Sequence, residues 1–119
     1  MAGIFSRLAR WVGGAAAGPV WVDVSALRAG LARGEAPLIL DVRGADEFDG
    51  PLGHIEGARN IPLPELSART AELARAQSPI VCVCLTDKRS SQAAADLTQA
   101  GIAGVTVLRG GMKAWREAP

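Results

Sequence analysis

The sequence predicts one α/β domain built on a parallel sheet of about five strands, with helices on both faces. Three observations carry that prediction. Short apolar runs alternate along the chain with segments whose apolar residues recur at helical spacing. Gly and Pro punctuate the junctions between them. One run, "IVCVC" at 80–84, is apolar throughout, which suits a strand buried on both faces. The chain has 119 residues, enough for one core and too few for two. With two Phe, three Trp and no Tyr, that core must come mostly from Ala, Val, Leu and Ile.

Residues 1–19, "MAGIFSRLARWVGGAAAGP", stand apart as an amphipathic segment and linker ahead of a domain expected over 20–119. Ile4, Phe5, Leu8, Trp11 and Val12 fall on one helical face, with Arg7 and Arg10 off it. Two readings stay open: a short helix that packs on the domain or frays, and an interfacial helix that touches a membrane surface through residues 4–12. The arginines interrupt the apolar stretch, which argues against a cleaved signal peptide. No segment approaches the ~20 apolar residues of a membrane-spanning helix.

From Val20 the elements follow in turn. "VWVDV" (20–24) is a short strand. Ser25 can cap a helix running to Arg33, with Leu27 and Leu31 inward and Gly34 ending it. "PLILDV" (37–42) is a buried strand. "GHIEGARNIPL" (53–63) is turn-rich, with a short strand near Ala58–Ile61. Pro64 suits the first turn of one helix that aligns Leu66, Thr70, Leu73 and Ala74. "IVCVC" is the central strand. A helix follows from Arg89 to Ala100, with Ala93, Leu97 and Ala100 inward and Gly101 closing it. "VTVL" (105–108) is the last strand. Gly110 and Gly111 permit a tight turn into a final short helix that lays Met112 and Trp115 over the core.

Net charge is +1 and the basic residues are scattered, so no nucleic-acid footprint is present. Cys82 and Cys84 form no disulfide framework, and with one His they are too few for a zinc site. No metal and no cofactor are expected. These facts suit a reducing compartment. The expected location is the cytoplasm, with membrane association open through the N-terminal segment.

In a parallel sheet, ligands bind outside the carboxyl ends of the strands. Two chemically interesting places fall there: Asp41 and Arg43 after "LIL", and Cys84 after "IVCV". Between Cys84 and a helix starting at Lys88 or Arg89 the backbone must curl, so successive N–H groups can form an anion-binding nest. The helix N-terminus adds roughly half a positive charge. Lys88 and Arg89 add full charges. Each effect favours thiolate over thiol; a free cysteine titrates near 8.5, and such surroundings bring it to about 3.5–7.5. Cys84 is therefore a candidate nucleophile in a cradle for an anionic substrate. Cys82, inside the strand, reads as packing. His54 could serve as a base, but its place in "GHIEGA" reads as a structural turn.

The segments "LILDVRGADEFDGPLGHIEGARNIPL", "IVCVCLTDKRSSQAA" and "VLRGGMKAW" together resemble the single-domain rhodanese sulfurtransferases over about residues 20–116. The resemblance implies a rhodanese-like fold, with Cys84 the catalytic cysteine and residues 85–89 its active-site loop. Cys84 would take a sulfane sulfur from thiosulfate or another persulfide donor and carry it as a persulfide. Cyanide, a low-molecular-weight thiol or a thioredoxin-like protein would then accept it. The amides of Leu85, Thr86, Asp87, Lys88 and Arg89 would stabilise the persulfide. Arg89 would orient the loop or hold the sulfonate end of the donor. Asp41 and Arg43 match the family's "DVR" and would support the edge rather than react.

This chain departs from the family where many relatives have Gly and it has Asp87. An Asp adds negative charge beside an anion site, which leaves the preferred donor open. Asp87 also suits the N-cap of a helix starting at Lys88 and tolerates the left-handed conformation. Two alternatives share the architecture. One is a binding or sulfur-carrier module serving a partner protein. The other is a phosphatase or arsenate reductase; those loops hold one more residue before the arginine, whereas Cys84 and Arg89 bracket four.

Overall fold

The computed structural model describes residues 18–118. The helix expected over 4–12, and with it the membrane contact, lies outside the described residues. No helix among the described residues is long and apolar enough to cross a membrane.

Five strands form one sheet: β1 (Trp21–Val22), β2 (Leu38–Asp41), β3 (Arg59–Asn60), β4 (Ile80–Val83) and β5 (Val105–Leu108). Every pairing is parallel, in the order β1-β5-β4-β2-β3. The helices are α1 (Val24–Ala32), α2 (Ala45–Phe48), α3 (Thr70–Ala76), α4 (Lys88–Gln99) and α5 (Gly111–Glu117). A 3₁₀ helix, Leu63–Arg69, leads directly into α3.

The sheet is covered on both sides, as the uninterrupted apolar β4 requires. Side chains alternate across a strand. Ile80 and Cys82 of β4 therefore join Leu40, Val107, Leu66, Leu73, Ala93 and Leu97 in one cluster. Val81 and Val83 join Ile39, Leu27, Met112 and Trp115 in the other. The first cluster lies under the 3₁₀ helix, α3 and α4; the second lies under α1 and α5. Thus β4 is the central strand and Met112 and Trp115 do cover core.

Some local expectations are corrected. The first helix begins at Val24, so Ser25 lies inside it and Asp23 stands at the N-cap. Val24 is buried, which draws the start back toward the sheet. Asp23 makes no side-chain cap and instead accepts from Arg109 Nε at 3.2 Å. The single helix expected after Pro64 is two pieces. Leu63 and Leu66, three residues apart, both pack on the core, and that spacing suits a three-residue turn. Leu73 of α3 is buried, but Thr70 is half-buried and Ala74 is exposed. Ala100 is exposed too, because α4 ends at Gln99 and Gly101, at φ +91°, turns the chain away.

The strand order locates the site. From β2 the chain runs outward to β3; from β4 it runs the opposite way to β5. The connections leaving β2 and β4 thus diverge at their carboxyl ends, the kind of switch point at which open α/β sheets bind ligands. In the β2–β4 register Asp41 lies opposite Val83, the residue before Cys84.

Candidate active site at the carboxyl edge

The carboxyl end of β2 is braced by a buried ion pair. Arg43 is 1% exposed and Asp41 fully buried. The guanidinium grips the carboxylate in fork geometry, Nη2 to Oδ2 at 2.7 Å and Nε to Oδ1 at 2.9 Å. The Arg43 amide also donates to Oδ1 at 3.1 Å. The remaining guanidinium bonds go to the backbone carbonyls of Glu47 (3.1 Å) and Gly53 (2.7 Å). Asn60 Nδ2 donates to the carbonyls of Asp41 and Arg43, which ties β3 to the same corner. The pair therefore sets the path of the β2–β3 connection, and neither side chain contacts Cys84 among the described bonds.

Cys84 follows β4 directly and is 1% exposed. Its sulfur is bonded by Ser90: the amide donates to Sγ at 3.3 Å, and Oγ lies 3.2 Å away. Toward a thiolate that hydroxyl can only donate. Ser90 is itself fully buried in the first turn of α4. Cys82 is a different group. Burial, with the neighbouring charge of Cys84 second, pushes its thiol up to about 12, so it stays protonated and inert.

The loop's curvature is imposed from α5. The amides of Met112 and Lys113 donate to the carbonyls of Cys84 (2.8 Å) and Leu85 (3.0 Å). A trans peptide points its N–H opposite to the preceding carbonyl. The amides of Leu85 and Thr86 are thereby turned away from α5, and the described peptides are all trans. Among the described residues, the amides of Leu85 to Arg89 make no backbone bond outside the helices and strands. Close approach of α5 needs Gly111: a Cβ there would stand 2.3 Å from the carbonyl oxygens of both Cys84 and Thr86. The α5 helix is anchored by Arg28, which stacks 3.8 Å over Trp115 and donates to its carbonyl, and by Arg116, which donates to the Leu52 carbonyl.

Arg89, in the first turn of α4, is paired. Its Nη1 and Nη2 meet Glu47 Oε1 and Oε2 at 2.7 and 2.9 Å. The Arg89 contact, helped by the Gly44 amide and opposed by partial burial, holds the Glu47 carboxyl down at about 2. The Glu47 carboxylate in turn raises Arg89. Because the folded carboxyl is depressed, its contribution to stability is present above the ordinary value of 4.5 and is lost as pH falls toward 2. Leu85, Thr86 and Lys88 are exposed on the loop. Asp87 stands at the N-cap as expected, but its carboxylate makes no cap bond, and its φ of −151° is open to any residue rather than left-handed.

The structure thus brings Cys84, residues 85–89, Asp41 and Arg43 to one edge. His54 is held elsewhere: its Nδ1 donates to the Phe48 carbonyl at 2.9 Å and its ring stacks on Phe48. A carbonyl only accepts, so Nδ1 carries the proton. Sequence reasoning missed Ser90, Glu47 and Asn60, and it assigned Gly111 to a turn rather than to the loop. The signal for Ser90 was its position beside Arg89 at a helix start; Glu47 lay four residues from Arg43 with nothing to mark its partner.

Fold and loop together place the protein among parallel α/β domains whose central strand delivers a cysteine to the mouth of a helix-starting loop. The family model described as Rhodanese-like domain matches residues 23–118, and the chain belongs to that family. It is 43% identical over 77 residues to YqhL of Bacillus subtilis (strain 168), covering 65% of this chain and 59% of that protein. The chain spans only about half the length of the first curated relatives it matches, 59% and 48%. It is 36% identical over 80 residues to the thiosulfate sulfurtransferase GlpE of Shewanella oneidensis, covering 67% of this chain and 76% of that one. The solved structure of the human single-domain sulfurtransferase TSTD1 superposes with a TM-score of 0.70 at 29% identity, over 87% of this chain and 99% of that chain. The relatives' names support a sulfurtransferase family at modest identity.

Proposed function

We propose that the protein is a sulfurtransferase that carries sulfane sulfur as a persulfide on Cys84, within a unit spanning residues 20–119. The observation that carries this reading is the paired contact of Ser90 N–H and Oγ with Cys84 Sγ, inside a loop whose next amides are turned out by α5. Those donors stabilise negative charge first on Sγ and then one atom further out. In the first step the Cys84 thiolate attacks the outer sulfur of a donor such as thiosulfate. The S–S bond of the donor breaks, sulfite leaves with the bonding pair, and Cys84 holds the terminal sulfur as an anionic persulfide. In the second step a thiolate, from a small thiol or a thioredoxin-like protein, attacks that outer sulfur and Cys84 leaves as thiolate. No oxidant or cofactor enters the balance. Arg89 holds the loop and presents its remaining N–H groups to the donor; Asp41 and Arg43 brace the carboxyl end of β2.

Intact mass after incubation with thiosulfate tests the reading. The expected result is a gain of one sulfur atom that a reducing thiol reverses and that Cys84→Ser lacks. If no tested sulfane donor adds sulfur to the unaltered protein, the binding-module alternative replaces the transferase. Ser90→Ala is expected to slow persulfide formation roughly tenfold or more, the loss of a hydrogen bond to a charged group, without altering the fold. An unchanged rate would remove Ser90 from the chemistry.

A further inference from the structure

The Glu47–Arg89 pair joins the two connections that diverge after β2 and β4. Glu47 belongs to α2 on the connection leaving β2, and Arg89 to α4 on the connection leaving β4. Both ends of Glu47 are tied. Its backbone carbonyl accepts from buried Arg43, and its Oε1 accepts from the Gly44 amide at 3.2 Å as well as from Arg89. The carboxylate is thus a fixed counter-ion, and the Arg89 contact holds its carboxyl well below the ordinary carboxylate range. Two of the five guanidinium N–H groups of Arg89, the pair aimed along its fork, are taken. The formal charges around the cysteine loop then cancel: Lys88 and Arg89 against Asp87 and Glu47.

Resting on the sulfurtransferase reading, we propose that Glu47 is a specificity-determining positioning residue. By occupying Arg89 it disfavours the dianion thiosulfate and favours donors with a single charge and a carbon-bearing group, the organic persulfides and thiosulfonates. A dianion must either displace a carboxylate that is held at both ends or bind the remaining N–H edges against its repulsion. A monoanion meets half that repulsion. With a thiosulfonate the atoms balance as before: Cys84 takes the terminal sulfur, the S–S bond breaks, and a sulfinate leaves with the electron pair. With a persulfide anion R–S–S⁻, Cys84 takes the terminal sulfur, the S–S bond breaks, and the thiolate R–S⁻ leaves with the electron pair.

The test compares thiosulfate with methanethiosulfonate. In the unaltered protein KM is expected to be lower for methanethiosulfonate, with both donors adding sulfur to Cys84. In Glu47→Gln, which keeps the shape and one acceptor, KM for thiosulfate should fall roughly threefold to fivefold while KM for methanethiosulfonate moves less than twofold. Thiosulfate binding to Cys84→Ser with and without Glu47→Gln, measured by calorimetry, should show the same selective gain. A role confined to orienting Arg89 predicts the opposite, weaker use of both donors. Thiosulfate affinity that is unchanged or reduced in Glu47→Gln overturns the proposal while leaving the persulfide intact. A preference of the unaltered protein for thiosulfate also overturns it, whether or not the variant folds. Failure of every donor to modify Cys84 would instead overturn the transferase reading itself.

Discussion

Gly111→Ala is expected to slow the proposed sulfur transfer at Cys84 about 100-fold and to lower the unfolding midpoint. Two independent effects act there. Gly111 sits at φ +56°, a left-handed conformation that costs an L side chain about 1–2 kcal/mol. The new Cβ would also lie 2.3 Å from the Cys84 and Thr86 carbonyl oxygens and 2.7 Å from the Leu85 carbonyl carbon. These are backbone atoms and cannot rotate aside, so either α5 or the cysteine loop must shift, at a further ~1–3 kcal/mol. A shift breaks the Met112–Cys84 and Lys113–Leu85 bonds that set the loop's curl. A displacement of about 1 Å at a reacting centre costs on the order of 100-fold in rate. Gly34→Ala supplies the comparison. Gly34 has φ +88° and open space around a Cβ, so it should lose only the conformational part and keep full activity. Equal loss of activity in both variants would show that backbone strain, not contact with the loop, is responsible. Persulfide formation by intact mass and thermal unfolding measure the two effects separately.

The second large effect is expected for Arg43→Met. Removing the guanidinium leaves Asp41 buried without its partner and strips donors from the carbonyls of Glu47 and Gly53. Breaking one side of a buried pair costs about 3–5 kcal/mol. Against a total stability of ~5–15 kcal/mol for a domain, that removes from about a fifth to nearly all of it. Urea unfolding should show it. Asp41→Leu combined with Arg43→Met should recover part of the stability, because no unpaired charge then remains. The double variant should still lose activity, since the Glu47 and Gly53 carbonyls lose the donors that set the path of the β2–β3 connection. A single variant as stable as the parent would contradict the bracing role of the Asp41–Arg43 pair.

Much of this edge is legible in the residues. The "VTVL" strand was read with its observed bounds, because four apolar or β-branched residues between Gly104 and Gly110 leave little choice. Cys84 was placed at a strand end because the apolar run stops there and a polar loop follows. Asp87 was placed at an N-cap for the same reason, although its side chain does not close the cap. Local errors fell where competing local signals overlapped. Ser25 and Asp23 are both good caps, and burial of Val24 chose between them. Pro64 announced a helix but not its pitch, which the packing of Leu63 and Leu66 set.

The period of each segment, and hence a covered parallel sheet with a thiol delivered to its carboxyl edge, follows from the order of residues along the chain, since period and punctuation are properties of neighbouring residues. The strand order, the divergence between β2 and β4, the meeting of Glu47 with Arg89 and the pressing of Gly111 against the cysteine loop were decided only in three dimensions. Each joins residues far apart in the chain, 42 positions for the ion pair. No local pattern records which of several equally apolar faces will pack together, and that choice is what turns a loop into a shaped and charge-balanced site.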